Sequence, residues 1–164
     1  MSDQHPPPSD VHVHVHLVVA GSFPLRVADL LFTNDELVVP EYEHLTPLFG
    51  LARNGMSRAS ENGRERYRQD GVSGLVEAAE RVHRLPYDDL AAVRLYDSRI
   101  GRPKIAIDPT EGVPYAYRIH ATVEMEALTE ALRSLGEGRG FAVERKAKIG
   151  FHPRNSLRRF LAGR

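Results

Sequence analysis

Valine and histidine alternate without a break from Val11 to His16. Extended backbone would put Val11, Val13 and Val15 on one face and His12, His14 and His16 on the other, the period-two pattern of a half-buried strand. The spacing predicts a strand over Val11–Ala20, ended by Gly21-Ser22-Phe23-Pro24. Two further apolar runs, Leu30-Leu31-Phe32 and Leu37-Val38-Val39, flank Thr33-Asn34-Asp35-Glu36. Asn and Asp tolerate turn geometry and bond their own backbone, so this segment reads as a hairpin. Pro40 has no N–H to give to a ladder and marks an edge or a strand end. Thr46–Leu51 reads as a buried turn.

Period two then gives way. Arg53–Gln69 has almost no large apolar residue and carries five arginines against two glutamates, which predicts a polar loop or an exposed helix. From Ser73, a suitable N-cap, Leu75, Ala79 and Val82 share one helical face. Glu77 with Arg81 and Glu80 with Arg84 have the spacing of favourable i,i+4 pairs. Leu85-Pro86 ends that helix, because the residue before proline disfavours helical backbone. Strands follow over Tyr87–Leu95, Pro103–Asp108 and Tyr115–His120. Thr122 is placed to cap a helix over Glu124–Leu135 whose apolar stripe is Met125, Leu128, Leu132 and Leu135, with Gly136 as its stop. Phe141–Ile149 reads as a further strand and Asn155–Leu161 as a short final helix.

These elements predict an α+β fold: a small curved antiparallel β-sheet with a C-terminal capping helix and a helical insertion. The expected organisation is a proline-rich, disordered leader over residues 1–10 and one domain over 11–140, interrupted by an insertion at 53–84. Residues 141–164 add a strand and a basic C-terminal helix. A chain of 164 residues suits a single domain. Lys plus Arg and Asp plus Glu both number 22, so no global field draws the chain to nucleic acid or membrane. The absence of cysteine excludes disulfides, zinc ribbons and thiol catalysis and suits a reducing cytosol. Neither a signal peptide nor an apolar run long enough for a transmembrane segment is present. The expectation is a soluble, cytoplasmic protein.

Leu31-Phe32-Thr33-Asn34-Asp35-Glu36-Leu37-Val38-Val39 resembles a strand-turn-strand segment of the pleckstrin-homology-like (PH-like) superfamily, especially its bacterial and archaeal branch and the related GRAM-type domains. Leu85-Pro86-Tyr87-Asp88-Asp89-Leu90 is similar to the stretch where that family's chain begins a strand. Lys104-Ile105-Ala106-Ile107 and the Glu124–Leu135 helix complete the order of elements. The turn Leu45-Thr46-Pro47-Leu48-Phe49-Gly50 is similar to one in uncharacterised proteins of salt-loving archaea, although the balanced charge departs from their acidity. The resemblance covers residues 17–135. It departs from the family in the Arg53–Arg84 insertion and in the extension after Gly136. It implies a curved sheet or partial barrel that binds lipid headgroups, peptides or proteins, and it carries no functional residues over, because fold does not fix function.

Two groups of residues carry candidate chemistry. His12, His14 and His16 would stand ~7 Å apart on one strand face, close enough for neighbours to share zinc or another divalent transition metal. His5 or His44 could add a ligand. No H-E-x-x-H or similar metalloenzyme motif follows. The plain alternative is a solvated strand face, and a third reading is pH sensing by clustered imidazoles.

The second group is basic. Seven Lys or Arg residues and no acid lie between Arg145 and Arg164. Arg145, Lys146, Lys148, Arg154, Arg158 and Arg159, with Phe151, Leu157, Phe160 and Leu161 interleaved, could meet an anionic lipid surface or another polyanion. The alternative is a docked helix paired with Asp35, Glu36, Glu41 and Glu43. Asp88-Asp89 is a carboxylate pair, but neighbours on a strand point to opposite faces, and Gly136-x-Gly138-x-Gly140 lacks the ending of a phosphate loop. No catalytic residues emerge. The sequence therefore predicts a non-enzymatic module holding an anionic or protein partner, with metal binding and non-specific nucleic-acid binding as alternatives. A homodimer is a further expectation if the histidine strand is a free sheet edge.

Overall fold

The computed structural model describes residues 11–21, 25–45, 51–98 and 101–146. Strands β1 (Val13–Ala20), β2 (Leu25–Phe32) and β3 (Glu36–Leu45) are followed by helix α1 (Leu51–Ala78) and strand β4 (Arg81–Pro86). A 3-10 turn at Tyr87–Asp89 leads to β5 (Leu90–Tyr96), β6 (Lys104–Pro109) and β7 (Tyr115–Ile119). Helix α2 (Met125–Arg139) and strand β8 (Ala142–Lys146) complete the described chain.

All eight strands form one sheet in the order β4-β3-β2-β1-β7-β6-β5-β8. It is curved and unclosed, and with its two helices it makes an α+β fold consistent with a PH-like arrangement of sheet and C-terminal helix. Every pairing is antiparallel except β5 with β8. The parallel pair arises because α2 intervenes between β7 and β8, and such a crossover returns the chain in the same direction as β5.

The curvature follows from the core. Val13, Val15, Val18, Leu30 and Phe32 from one half of the sheet pack with Val93, Leu95, Ile105, Ile107 and Ile119 from the other half. Helix α2 closes one end with Leu128, Leu132 and Leu135. The opposite face is covered by α1, whose Val72 and Leu75 pack on Leu31 and Val38.

Several expectations change. Arg53–Gln69 and the segment after Ser73 belong to one helix, α1, which has a non-helical residue at Gly71 (φ 60°, ψ −143°). The helix stops at Ala78, so Arg81–Pro86 is not its last turn but strand β4, pairing from Glu36–Pro86 to Glu41–Arg81. The partner strand prevails over helical spacing there, and Arg84 pairs with Glu36 of β3.

Pro40 lies in an interior strand opposite Val82, close to a register shift between Val27 and Ala28 where a missing donor is tolerated. Tyr87 opens the 3-10 turn instead of a strand. Glu124, not Thr122, caps α2 by accepting from the Ala127 N–H at 2.7 Å. The helix passes Gly136 and ends at Gly140, which has the left-handed backbone (φ 83°) of a C-terminal stop. The leader 1–10, the Thr46–Gly50 turn and the Asn155–Leu161 helix lie outside the described residues.

Candidate functional site

The histidine strand β1 lies inside the sheet, between β2 and β7, so it is not an edge open to a second chain. His14 pairs with Leu31, which places it on the α1 face. Asp29, two residues from Leu31, shares that face and is almost fully buried.

Two local irregularities converge on Asp29. Between the pairs Val15–Leu30 and Val18–Ala28, β1 carries one extra residue opposite Asp29. Between Ala28–Glu41 and Val27–Glu43, β3 carries one extra residue, Tyr42. Bulges of this kind re-aim side chains and are enriched beside functional sites. The first one turns His16 towards the acid that His14 already faces. His14 Nε2 lies 2.7 Å and His16 Nδ1 3.0 Å from Asp29 Oδ2. The Leu17 N–H donates to Oδ1 at 2.9 Å.

The site has a roof of aromatic groups. The His14 ring lies 5.7 Å from that of His16 and 4.7 Å from that of Tyr67 on α1. Tyr42 packs on the same face, and its hydroxyl oxygen is buried with no hydrogen-bond partner among the described residues. Burial, followed by the nearby Asp29 charge, pushes the Tyr42 hydroxyl far above its usual pKa. For Asp29, burial alone would raise the pKa. The bonds and charges of His14 and His16 outweigh it and hold the carboxyl at about 2.

The ligand atoms of His14, His16 and Asp29 all lie within 4.8 Å of one another. A tetrahedral zinc ion with arms of ~2.0–2.1 Å separates its ligands by ~3.3 Å, a spacing inside that limit. The Leu17 N–H fixes one carboxylate oxygen and leaves the other directed at the imidazoles, which is how outer contacts commonly orient a metal-binding carboxylate. Two imidazoles and one carboxylate leave a fourth position open.

His12 stands apart from this group. Its Nε2 lies 2.5 Å from Asn34 Oδ1 and 3.5 Å from an Arg139 guanidinium nitrogen. His5 and the side chain of His44 lie outside the described residues.

Of the basic residues, Arg145 is bonded to Asp97 at 2.9 Å and to Glu126, and Lys146 lies 3.3 Å from Glu144. Lys148, Arg154, Arg158 and Arg159 lie outside the described residues. Glu36 and Glu41 pair with Arg84 and His83 of β4. Asp88 and Asp89 are exposed on the 3-10 turn.

Sequence reasoning missed Asp29. The signal was present as a lone acid inside the apolar run Val27-Ala28-Asp29-Leu30-Leu31-Phe32, because an acid in a buried strand needs partners.

No protein-family model matches the chain, and no curated protein is similar to it in sequence. Among solved structures, the chain is similar to the hSac2 domain from human phosphoinositide phosphatase Sac2, with a TM-score of 0.51 and 12% identity. The match covers 90% of this chain and 83% of that one. At this identity the likeness concerns the fold alone. Among the described residues, no helix is long and apolar enough to cross a membrane.

Proposed function

We propose that this chain is a binding module built on a PH-like sheet, and that its α1-facing site holds a divalent transition metal, zinc being the simplest choice. The observation that carries the reading is the convergence of His14 Nε2 and His16 Nδ1 on a single oxygen of buried Asp29. Imidazole and carboxylate donors suit zinc and its first-row neighbours, and the Tyr42 hydroxyl, which has no hydrogen-bond partner among the described residues, supplies a polar group on the same face.

The described part of the basic segment does not favour an anionic partner, because Arg145 and Lys146 are already matched by carboxylates. That reading, whether lipid or nucleic acid, rests on Lys148 and the arginines beyond it. Cosedimentation of the full chain with anionic liposomes at low and high salt tests it.

The metal reading is tested by calorimetric titration of the full chain with zinc chloride. One ion per chain is expected, with affinity falling about tenfold or more in His14→Gln and His16→Gln and unchanged in His12→Gln. No binding by the native chain, or equal binding by the His14→Gln/His16→Gln double variant, overturns the proposal.

A further inference from the structure

The sheet ends on strand β4, which among the described residues pairs only with β3. Two prolines fix which backbone groups make that ladder. The opposed pairs Glu36–Pro86, Val38–Arg84 and Pro40–Val82 alternate with Leu37–Leu85, Val39–His83 and Glu41–Arg81. Neither Pro40 nor Pro86 has an N–H, so the first set cannot exchange bonds and the second set carries the ladder. The N–H and C=O of Val82 and Arg84 therefore point away from β3, towards the outer edge. Exposed edges are commonly blunted by a bulge or a proline within the strand. The register of β4 holds no bulge, and its proline is its last residue.

A groove of 260 Å³ follows this edge. Val82, His83, Arg84 and Leu85 all line it, although their side chains alternate between the two faces, so the groove reaches round the rim of the sheet. Its remaining wall includes Ile107 and Tyr115, the latter 46% exposed with its ring 6.0 Å from that of His83. On the α1 face lies a second hollow, of 380 Å³, lined by Val38, Val72 and Val76. Its charged groups are Asp35, Glu36, Glu77 and Arg84, and Arg84 is bonded to Glu36. That hollow keeps a net negative charge.

We infer that β4 is a docking edge for an extended peptide whose residues alternate between apolar and basic. The main chain of the peptide bonds the outward N–H and C=O groups of Val82 and Arg84, adding one more strand to the sheet. Neighbouring strands lie ~4.8 Å apart and their side chains alternate between faces. One set of peptide side chains therefore enters the groove beside Leu85 and Tyr115, and the other set meets the α1-face hollow beside Arg84. Lysine or arginine in the second set answers the charge of Asp35 and Glu77, whereas an acidic residue there adds to it and is disfavoured. The edge supplies the main-chain bonds, and the two hollows select the sequence. Two strands separate β4 from β1, so this inference stands apart from the metal reading.

The test is an NMR titration of the full chain, in the presence of a chelator, with an acetylated and amidated hexapeptide of alternating lysine and valine. Matched controls carry glutamate in place of lysine, or methyl groups on the backbone nitrogens. The lysine peptide is expected to shift the amide signals of Val82 and Arg84 and to slow their hydrogen exchange about tenfold or more. The glutamate peptide is expected to bind at least about tenfold more weakly, and the N-methylated peptide not at all. Val82→Pro removes an outward N–H and no ladder bond, so it should weaken the lysine peptide about tenfold. Asp35→Asn/Glu77→Gln should narrow the gap between the lysine and glutamate peptides. Should Val82→Pro fail to fold, the N-methylated control on the native chain decides. No binding of the lysine peptide, shifts centred away from β4, or equal binding of any control peptide overturns the inference. So does unchanged affinity in a folded Val82→Pro variant, or a native dimer whose β4 amides are already protected.

Discussion

Leu17 donates its backbone N–H to Asp29 over 2.9 Å from a left-handed backbone, φ 52°. No other non-glycine residue among those described has positive φ. This conformation costs a non-glycine residue on the order of 1–3 kcal/mol, and it persists because the extra residue of the bulge brings His16 round to Asp29. In a regular strand His14 and His16 would stand ~7 Å apart along one face with no shared acid.

Substitution at Leu17 should therefore report on backbone geometry. Asparagine tolerates left-handed backbone, whereas a β-branched residue resists it. Leu17→Asn is expected to keep the site, while Leu17→Ile loses about 1–2 kcal/mol. Thermal unfolding of both variants, read beside zinc titration, checks this. Equal stability of the two would show that the strain is not at this residue.

Asp29 anchors three donors, so its loss should be felt throughout the β1–β2 pair. Asp29→Asn removes the charge that His14, His16 and the Leu17 N–H share. A cost of about 2–4 kcal/mol is expected, against no more than about 1 kcal/mol for exposed His12→Gln. Urea denaturation of the two variants measures the contrast.

The legible part of this fold was its local pattern. The alternation from Val13 to His16, the Thr33–Glu36 turn and the Met125–Leu135 stripe each depend on neighbours in sequence, and each gave an element in the expected place, whereas Val11 falls outside β1 and packs with the α1-facing cluster rather than with Val13 and Val15. What was not legible depended on distant partners. Val82 looked helical because nothing local shows that Pro40 and Leu37 wait to pair with β4. The site was half legible for the same reason. Two of its histidines were visible in the strand pattern, but Asp29 comes from the next strand, and a bulge cannot be read from alternation alone.

His120 supplies a pH dependence. Burial, then the charges of Arg102 and Arg118, hold its imidazole at about 4, below the ordinary 6.5. Above pH 6.5 both folded and unfolded chains carry it neutral, and it contributes nothing. Between 6.5 and 4 the unfolded chain binds a proton that the folded chain refuses, so stability falls as pH drops. His120 is partly exposed, and with solvent screening allowed for, the loss is about 1–2 kcal/mol. His120→Gln should flatten unfolding free energy across that window, and an NMR titration should place the native midpoint near 4. A midpoint at the ordinary value would remove the effect.

Helix α2 offers a paired test in two glycines of the same helix. A Cβ at Gly136 would lie 2.6 Å from the Phe141 carbonyl oxygen and 3.1 and 3.2 Å from its ring. Phe141 stacks on Tyr87, with centroids 5.5 Å apart, and leads directly into β8. The methyl group of Gly136→Ala must therefore displace backbone at the point where β8 joins β5, at an expected cost of about 1–3 kcal/mol. At Gly138 a Cβ meets nothing within 4 Å. There the alanine only gains helix propensity, worth about 0.5–1 kcal/mol in the stabilising direction. Urea midpoints of the two variants should thus move in opposite directions from the native chain. A shift of the same sign in both would mean that close approach to Phe141 is not what requires glycine at 136.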